Sequence, residues 1–265
     1  WLNGVLVCRA NIGSVDWNQR VAASKFAAWS DFGTVKKGHI VLQEHGHDVW
    51  FRSIRIREIP TTERWRFGHF EQLFNGHNMD GWSAYLNSDG KMDDVWSVAD
   101  GIISCKGKPA GYIYTNHQYQ DFILEVDWRW DPVTKKGGNS GVLFRQVGEH
   151  KVWPKSIEAQ LMAGSAGDFW CIGEFPMQTD PERTRGRNTK HLMKNERDNG
   201  EWNHYEIHCI GGNVVLMVNG KVLNTATNCA EVPGPICLQS EGAPIQFRRI
   251  RLFPMPSSSH GATGQ

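Results

Sequence analysis

The sequence predicts an all-β protein built as a sandwich or jelly roll, and three observations carry this prediction. The apparent strands are short, they alternate apolar with polar residues, and turn residues separate them, with 28 Gly in 265 residues. The segment 121–130 alternates most clearly, because Phe122 and Leu124 share one face while Glu125 and Asp127 share the other. One buried and one polar face is the pattern of a sandwich strand.

Nine segments after residue 94 carry the strand pattern. They are 95–105, 111–115, 121–130, 139–146, 156–163, 202–210, 213–218, 235–240 and 245–253. Residues 174–200 interrupt the series with polar and turn-forming residues, and we expect them to form a long loop at a sheet edge, as a lid or a wall.

An internal repeat divides the chain. WLNGVLV at 1–7 matches MVNGKVL at 217–223, and the segment 38–60 matches 234–254. We therefore expect residues 1–60 to be the C-terminal fragment of a first β-sandwich repeat, with a short helix around Gln19–Trp29.

The remaining boundaries follow from composition. Residues 61–69 are interpreted as a linker, 70–254 as a complete jelly-roll domain, and 255–265 as a disordered tail. Because two or three strands bury little apolar surface alone, packing with a preceding homologous domain is a further expectation.

Composition limits the partners. The net charge is +1, with acids and bases interspersed, so we predict no nucleic-acid partner. No apolar run approaches the ~18 residues of a membrane span. Twelve Trp suit a carbohydrate binder, because indole rings stack on sugars, and they equally suit an apolar core.

The six cysteines show no metal-binding spacing. Cys209 and Cys237 lie within apparent strands and are predicted to be buried free thiols. A disulfide between Cys171 and Cys229 stays open.

The most informative stretch is 139–168, which contains two neighbouring strands joined by a loop. Because side chains alternate along a strand, the apolar residues of both strands share one face of the sheet. The opposite face carries amide, guanidinium and carboxyl groups. The apolar set is Val142, Phe144, Ile157, Ala159 and Leu161, and the opposite set includes Asn139, Gly141, Leu143, Arg145, Glu158, Gln160 and Met162. That mixture suits a polyhydroxylated ligand, and a solvated outer face is the alternative.

The ordered motifs resemble the 3-keto-disaccharide hydrolase domain family. They are LFNGHNMDGW, NSGVLFR followed by IEAQLM, WNHYEIHCIGGNVVLMVNGKVL and LQSEGAPIQFRRIRL, and together they cover about 70–254. The resemblance implies a concanavalin A-like jelly-roll sandwich of two antiparallel sheets, with sugar bound on the concave sheet. Members of that family are mostly bacterial and exported, so the resemblance implies a secreted or periplasmic location.

The activity that the resemblance implies is cleavage of glycosides already oxidised to a ketone at C3. The ketone acidifies the C2 proton, so elimination needs a base, a stabiliser for the enolate oxygen and a proton donor for the leaving oxygen. Glu158 is the first choice as base, Arg145 or Lys106 as stabiliser, and His150 as acid or base.

Other polar residues are candidates for substrate binding. Asn139, Gln160 and Gln239 are expected to bind ring hydroxyls, Trp153 to stack on a sugar, and Asp168 to supply a second carboxylate. The alternatives are plain ones: a solvated loop histidine at 150, an exposed strand-end lysine at 106, and a turn around Asp168.

Two other hypotheses compete with an enzyme: a non-catalytic carbohydrate-binding module, and a domain that packs against a partner domain. No cofactor is predicted. A divalent metal near His204, Glu206 and His208 stays an open alternative, because three alternating residues are a weak signal.

Overall fold

The computed structural model describes residues 15–34, 38–54, 56 and 70–255, and the chain divides into the units Trp1–His69 and Phe70–Gln265. The predicted linker 61–69 and the predicted tail beyond residue 255 lie outside the described residues, as does the segment 1–14. Among the residues that are described, no helix is long and apolar enough to cross a membrane.

The first unit contains a helix, α1 (Val15–Ala22), followed by turns through residue 34. The expected helix is present, but it begins and ends earlier than the sequence suggested. The rings of Trp17 and Phe26 each stack on Phe32, with centroids 6.1 and 4.3 Å away respectively. The described residues 38–54 contain no strand, so their origin in a duplicated sandwich stays a prediction.

The second unit is almost entirely β. Its elements in chain order are β1 (Glu71–Gln72), β2 (Trp82–Leu86), α2 (Met92–Val95), β3 (Trp96–Ala99), β4 (Ile102–Cys105), β5 (Gly111–Thr115), β6 (Phe122–Trp130), β7 (Gly141–Val147), β8 (Lys155–Gln160), β9 (Phe169–Ile172), β10 (Gln178–Thr179), β11 (Thr184–Arg185), β12 (Asn188–Thr189), β13 (Asn203–Ile210), β14 (Asn213–Val218), β15 (Lys221–Thr227), β16 (Cys237–Ser240) and β17 (Ile245–Pro254).

These strands form two antiparallel sheets. The first sheet has the order β10-β15-β14-β13-β6-β17-β4-β3, with β1 paired to β17, and the second has the order β11-β12-β9-β8-β7-β16-β5-β2. The inner faces of both sheets contribute to one apolar core, in which Trp128, Phe144 and Phe247 are fully buried. The predicted jelly-roll sandwich is confirmed.

The predicted strands agree with the structure where apolar and polar residues alternate over many positions. A short turn within a predicted strand was missed. The segment 95–105 is two strands, because Asp100 and Gly101 both adopt positive φ, 52° and 73°, and form a tight hairpin turn. The predicted loop 174–200 contains the short strands β10, β11 and β12, which extend the edges of both sheets.

The five described cysteines are free, and all except Cys171 are buried. The predicted free thiols at Cys209 and Cys237 are therefore confirmed, and Cys171 and Cys229 form no disulfide.

Candidate active site on the outer face of the second sheet

Three adjacent strands build the candidate site. In the second sheet β7 lies between β8 and β16, with Leu143 opposite Glu158 on one side and opposite Cys237 on the other. The apolar residues predicted for β7 and β8 point into the core. The side chain of Glu158 therefore points to the outer face, as the alternation predicted.

Gly141 makes room for two polar side chains. A Cβ atom at this position would lie 2.3 Å from Glu158 Oε1 and 2.5 Å from Gln239 Oε1. Both oxygens therefore lie over the backbone of Gly141, where only a residue without a side chain leaves them space.

Buried acceptors without donors concentrate at this place. Glu158 Oε1, Gln239 Oε1 and Asn139 Oδ1 are all buried, and within the described residues no hydrogen-bond donor reaches any of them. A buried polar atom without a partner costs about 1–3 kcal/mol. A ligand with several hydroxyl groups would supply the missing donors.

A second carboxyl group, Glu241, lies beside Glu158. Burial, and then the negative charge of Glu241, raise the pKa of Glu158 well above its ordinary value of 4.5. Burial also raises the pKa of Glu241, while hydrogen bonds from Trp153 and Asn139 act in the opposite direction. Two neighbouring carboxyl groups whose pKa values are both raised by burial, one of them also by the charge of the other, are typical of acid–base sites.

Glu241 was not among the predicted site residues. It lies two residues after Gln239 and bridges to Asn139 in the sheet, so strand alternation from a residue already chosen would have identified it. Trp153 donates from Nε1 to Glu241 Oε1 over 3.2 Å, which places this predicted residue at the site through the acid rather than through a sugar.

The loop 148–154 crosses the outer face. His150 Nδ1 lies 2.8 Å from the hydroxyl of Tyr112, and its ring stacks on Tyr114 with centroids 4.5 Å apart. Because Trp153 of the same loop reaches Glu241, the loop covers the centre of the face, where Leu143 and Cys237 are fully buried. The polar face predicted for these strands is therefore partly covered, and Glu158 is only 4% exposed.

Asp168 holds a histidine. Its Oδ1 accepts from the backbone N–H of His191 at 2.7 Å and lies 2.6 Å from His191 Nδ1, while its Oδ2 accepts from the Asn188 amide at 3.1 Å. Gln160 uses its side-chain oxygen to accept from the backbone N–H groups of Leu161 and Met162. The side chains of Asp168 and Gln160 therefore form hydrogen bonds within the protein, and their substrate-binding roles stay predictions.

The prediction that Arg145 shares a surface with Glu158 is wrong. A β-bulge follows Phe144, and Arg145 adopts a φ of 52°, which reverses the direction of its side chain. The guanidinium is fully buried, donates to the carbonyls of Ala230 at 2.8 Å and Gly211 at 2.6 Å, and lies 3.6 Å from Asp121. Alternation fails here because the bulge adds one residue to the strand.

Within the described residues, no contact links the Lys106 side chain to the acids of the site. It follows β4 in the first sheet, and its Nζ donates to the carbonyl of Asp94 at 2.7 Å. The alternative interpretation, an exposed lysine at a strand end, describes it correctly.

The outer face of the first sheet carries ion pairs. His204 Nδ1 lies 2.9 Å from Asp127, which also pairs with Arg248 and Arg249. Among the residues that the structure describes, no group of three His, Cys, Asp or Glu side chains is arranged to hold a metal ion. His204 and Glu206 thus belong to a network of charges.

The two-sheet antiparallel jelly roll places this chain in the class of concanavalin A-like sandwich proteins. Acids and amides lie on the outer face of its second sheet. Within this class, the chain belongs to the family of 3-keto-alpha-glucoside-1,2-lyase-like domains, whose model matches residues 1–57 and 69–252.

Solved structures show the same fold. A proposed glycosyl hydrolase from Parabacteroides distasonis ATCC 8503 is 20% identical, with a TM-score of 0.53 over 74% of this chain and 99% of that one. A second crystal structure described in the same way, from the same organism, is also 20% identical, with a TM-score of 0.52 over 71% of this chain and 100% of that one. A search of curated proteins finds no match to this chain.

Proposed function

We propose that this chain cleaves glycosides whose sugar carries a ketone at C3, by elimination followed by addition of water, with Glu158 and Glu241 transferring the protons. One observation carries the proposal: buried oxygens of Glu158, Gln239 and Asn139, which have no hydrogen-bond partner among the described residues, lie together with a second carboxyl group, that of Glu241. Family membership supplies the reaction class, since the family is described by 3-keto-α-glucoside lyase chemistry.

The ketone lets two carboxyl groups perform the reaction. A base removes the proton from C2, a C1–C2 double bond forms, and the C1–O bond breaks while an acid protonates the departing oxygen. Water then adds across the double bond, with hydroxyl at C1 and hydrogen at C2, which gives net hydrolysis. The two groups need different protonation states for the first step.

The environments assign the roles. Burial and the charge of Glu241 raise the pKa of Glu158 well above its ordinary value, which favours its protonated form, so we assign it as the acid that protonates the leaving oxygen rather than as the base expected from the sequence. Glu241 is less buried and receives hydrogen bonds from Trp153 and Asn139, which favour its ionised form, so it is the base. The single N–H of Trp153 is already donated to Glu241, but the Asn139 amide has a second N–H beside the one it uses on Glu241, and this N–H is the donor that would stabilise an enolate oxygen in place of Arg145.

The test is turnover of 3-keto-trehalose and of 4-nitrophenyl 3-keto-α-glucoside by the wild-type chain and by Glu158→Gln and Glu241→Gln. We expect each substitution to lower kcat by about 10²–10⁴-fold, the usual contribution of a positioned acid or base. Glu231→Gln is the matched control, because Glu231 is exposed and does not belong to the proposed acid pair. Undiminished turnover by Glu158→Gln would remove the residue assignment, and absence of turnover by the wild type would remove the function.

The second candidate function is non-catalytic carbohydrate binding. The observation that favours it is the closed loop, because the contacts of His150 with Tyr112 and of Trp153 with Glu241 leave Glu158 covered. Binding of an unoxidised glycan by a chain that turns over no oxidised sugar would support this function against the first.

A further inference from the structure

A polar cleft lies at the opposite side of loop 148–154 from Glu158. It has a volume of about 280 Å³ and is lined by residues of β5, the segment after β5, β7 and the loop, among them Tyr114, Asn116, Gln118, Gln146, Gly148 and His150. The proposed reaction uses none of its amide side chains. The volume is slightly below the usual range for small-molecule sites, which suits a single sugar ring.

The side chains of the cleft keep hydrogen-bonding capacity for a ligand. Asn116 accepts from Ser83 through its oxygen at 2.7 Å, which leaves its amide N–H groups without a partner in the described structure. His150 uses Nδ1 on Tyr112, and for Gln118 no side-chain hydrogen bond occurs within the described residues. Donors and acceptors of this kind match alternating sugar hydroxyls.

In the part of the chain that the structure describes, no Asp, Glu, Lys or Arg lines the cleft. A phosphate or carboxylate ligand would require cationic partners, and an ammonium ligand would require an acid. The lining therefore selects an uncharged polyhydroxylated group.

The walls of the cleft are fixed before any ligand binds. Tyr119 and Gly234 exchange two backbone hydrogen bonds of 2.8 and 3.1 Å, and the Thr115 N–H donates to the Ile236 carbonyl at 3.0 Å. These contacts hold Pro233 and Pro235, which form one wall, against the end of β5. Because these walls are already ordered, binding a ligand costs little free energy for ordering the protein.

The cleft and the acids belong to the same row of the sheet. Glu158 pairs with Leu143, Leu143 with Cys237 and Cys237 with Tyr114, so three strand spacings, about 14 Å, separate Glu158 from Tyr114. That distance exceeds one sugar ring, and the loop lies between the two places. A single monosaccharide cannot occupy both.

We infer that the cleft is a second binding site, for an uncharged and unoxidised sugar unit of a glycan several units long. Saccharide binding in the cleft does not depend on the proposed cleavage. Only the further statement that the chain cleaves long glycans rests on the proposed function. The ligand would contact Asn116 and Gln118 while the loop separates it from the acids.

The experiment measures binding of unoxidised maltotetraose, cellotetraose and laminaritetraose to the whole chain by saturation-transfer NMR and calorimetry. We expect at least one to bind, and Gln118→Ala to weaken that binding about tenfold, the effect of one or two lost hydrogen bonds. Asn213→Ala, an exposed amide in the first sheet, is the control and should leave binding unchanged. The turnover of a small 3-keto-glucoside should be equal for wild type and Gln118→Ala.

Failure of all three tetrasaccharides to bind, or equal affinity of Gln118→Ala and Asn213→Ala, would overturn the inference. Tighter binding of an anionic hyaluronan tetrasaccharide than of the neutral probes would overturn the assignment of an uncharged ligand. Because no oxidised sugar is used in the binding experiment, its result is distinct from failure of the proposed cleavage.

Discussion

Glu158 shows how burial can change the role of one residue without changing its identity. Its position on the outer face follows from alternation, but its pKa follows from the cover above it and from Glu241 next to it. A carboxyl group in such surroundings favours its neutral form, in which it can donate a proton. This environment also makes stability depend on pH.

Glu158→Gln should become more stable relative to wild type as pH rises. The folded pKa of Glu158 is higher than the unfolded one, so above the ordinary value of 4.5 the unfolded chain releases a proton that the folded chain retains. Wild-type stability therefore falls as pH rises through this window, by about 1.4 kcal/mol for each unit of pKa difference, and glutamine removes that loss. Thermal unfolding of both proteins from about pH 4 to pH 8 measures the difference.

The control for this prediction is Glu231→Gln, whose melting temperature should follow wild type at every pH because Glu231 is exposed. A constant offset between Glu158→Gln and wild type across the same pH range would contradict a raised pKa.

At the scale of elements, the site depends on the register of β7, β8 and β16. Gly141 in the central strand faces Glu158 from one neighbour and Gln239 from the other, and both side chains fill the space above it. A shift of one residue in either pairing would turn the acid or the amide into the core. The three strands therefore define the site more than any single residue does.

Gly141→Ala should abolish activity and lower the free energy of unfolding by about 1–3 kcal/mol, the usual cost of an added group in a packed position. The new methyl group would lie 2.3 Å from Glu158 Oε1, so both polar side chains must move. Turnover and urea unfolding measure the two effects.

Gly212→Ala is the matched control, because a Cβ atom there meets its nearest neighbour, the Cys229 carbonyl, at an ordinary 3.6 Å. Retention of full activity by Gly141→Ala would contradict the packing of Glu158 and Gln239 over this glycine.

At the scale of the whole molecule, Arg145 connects the two sheets. It belongs to β7 of the second sheet, and its guanidinium donates to Gly211 in the turn between β13 and β14 of the first sheet. Asp121, just before β6, pairs with the guanidinium and accepts from the Gly211 N–H at 2.7 Å. A residue expected to contact substrate thus fastens one end of the sandwich.

Arg145→Met should lower the free energy of unfolding by about 3–5 kcal/mol, because it leaves Asp121 as an unpaired buried charge. The double variant Arg145→Met/Asp121→Asn should recover part of the loss, since the uncompensated charge is removed. Urea unfolding of the four proteins in this cycle gives the coupling between the two residues. A loss below about 0.5 kcal/mol in the single variant, within the range of surface substitutions, would contradict the role of Arg145 as a connection.

The sequence by itself determined the all-β class, the inner faces of β6, β7 and β8, and the placement of Glu158, Gln239 and Asn139 on one outer surface. These follow from side-chain alternation, which is a local property of an extended chain. The family was also identifiable from the ordered motifs, and the match over residues 69–252 agrees.

Only the tertiary structure decided where Arg145 points, that burial and Glu241 raise the pKa of Glu158, and that the loop with His150 and Trp153 covers the face. Each depends on contacts between residues far apart in the chain. A bulge forms where Gly234 approaches the backbone of Arg145, with a Cβ there only 2.8 Å from it. Burial likewise depends on the whole fold, because the pKa of a carboxyl group responds to everything packed around it.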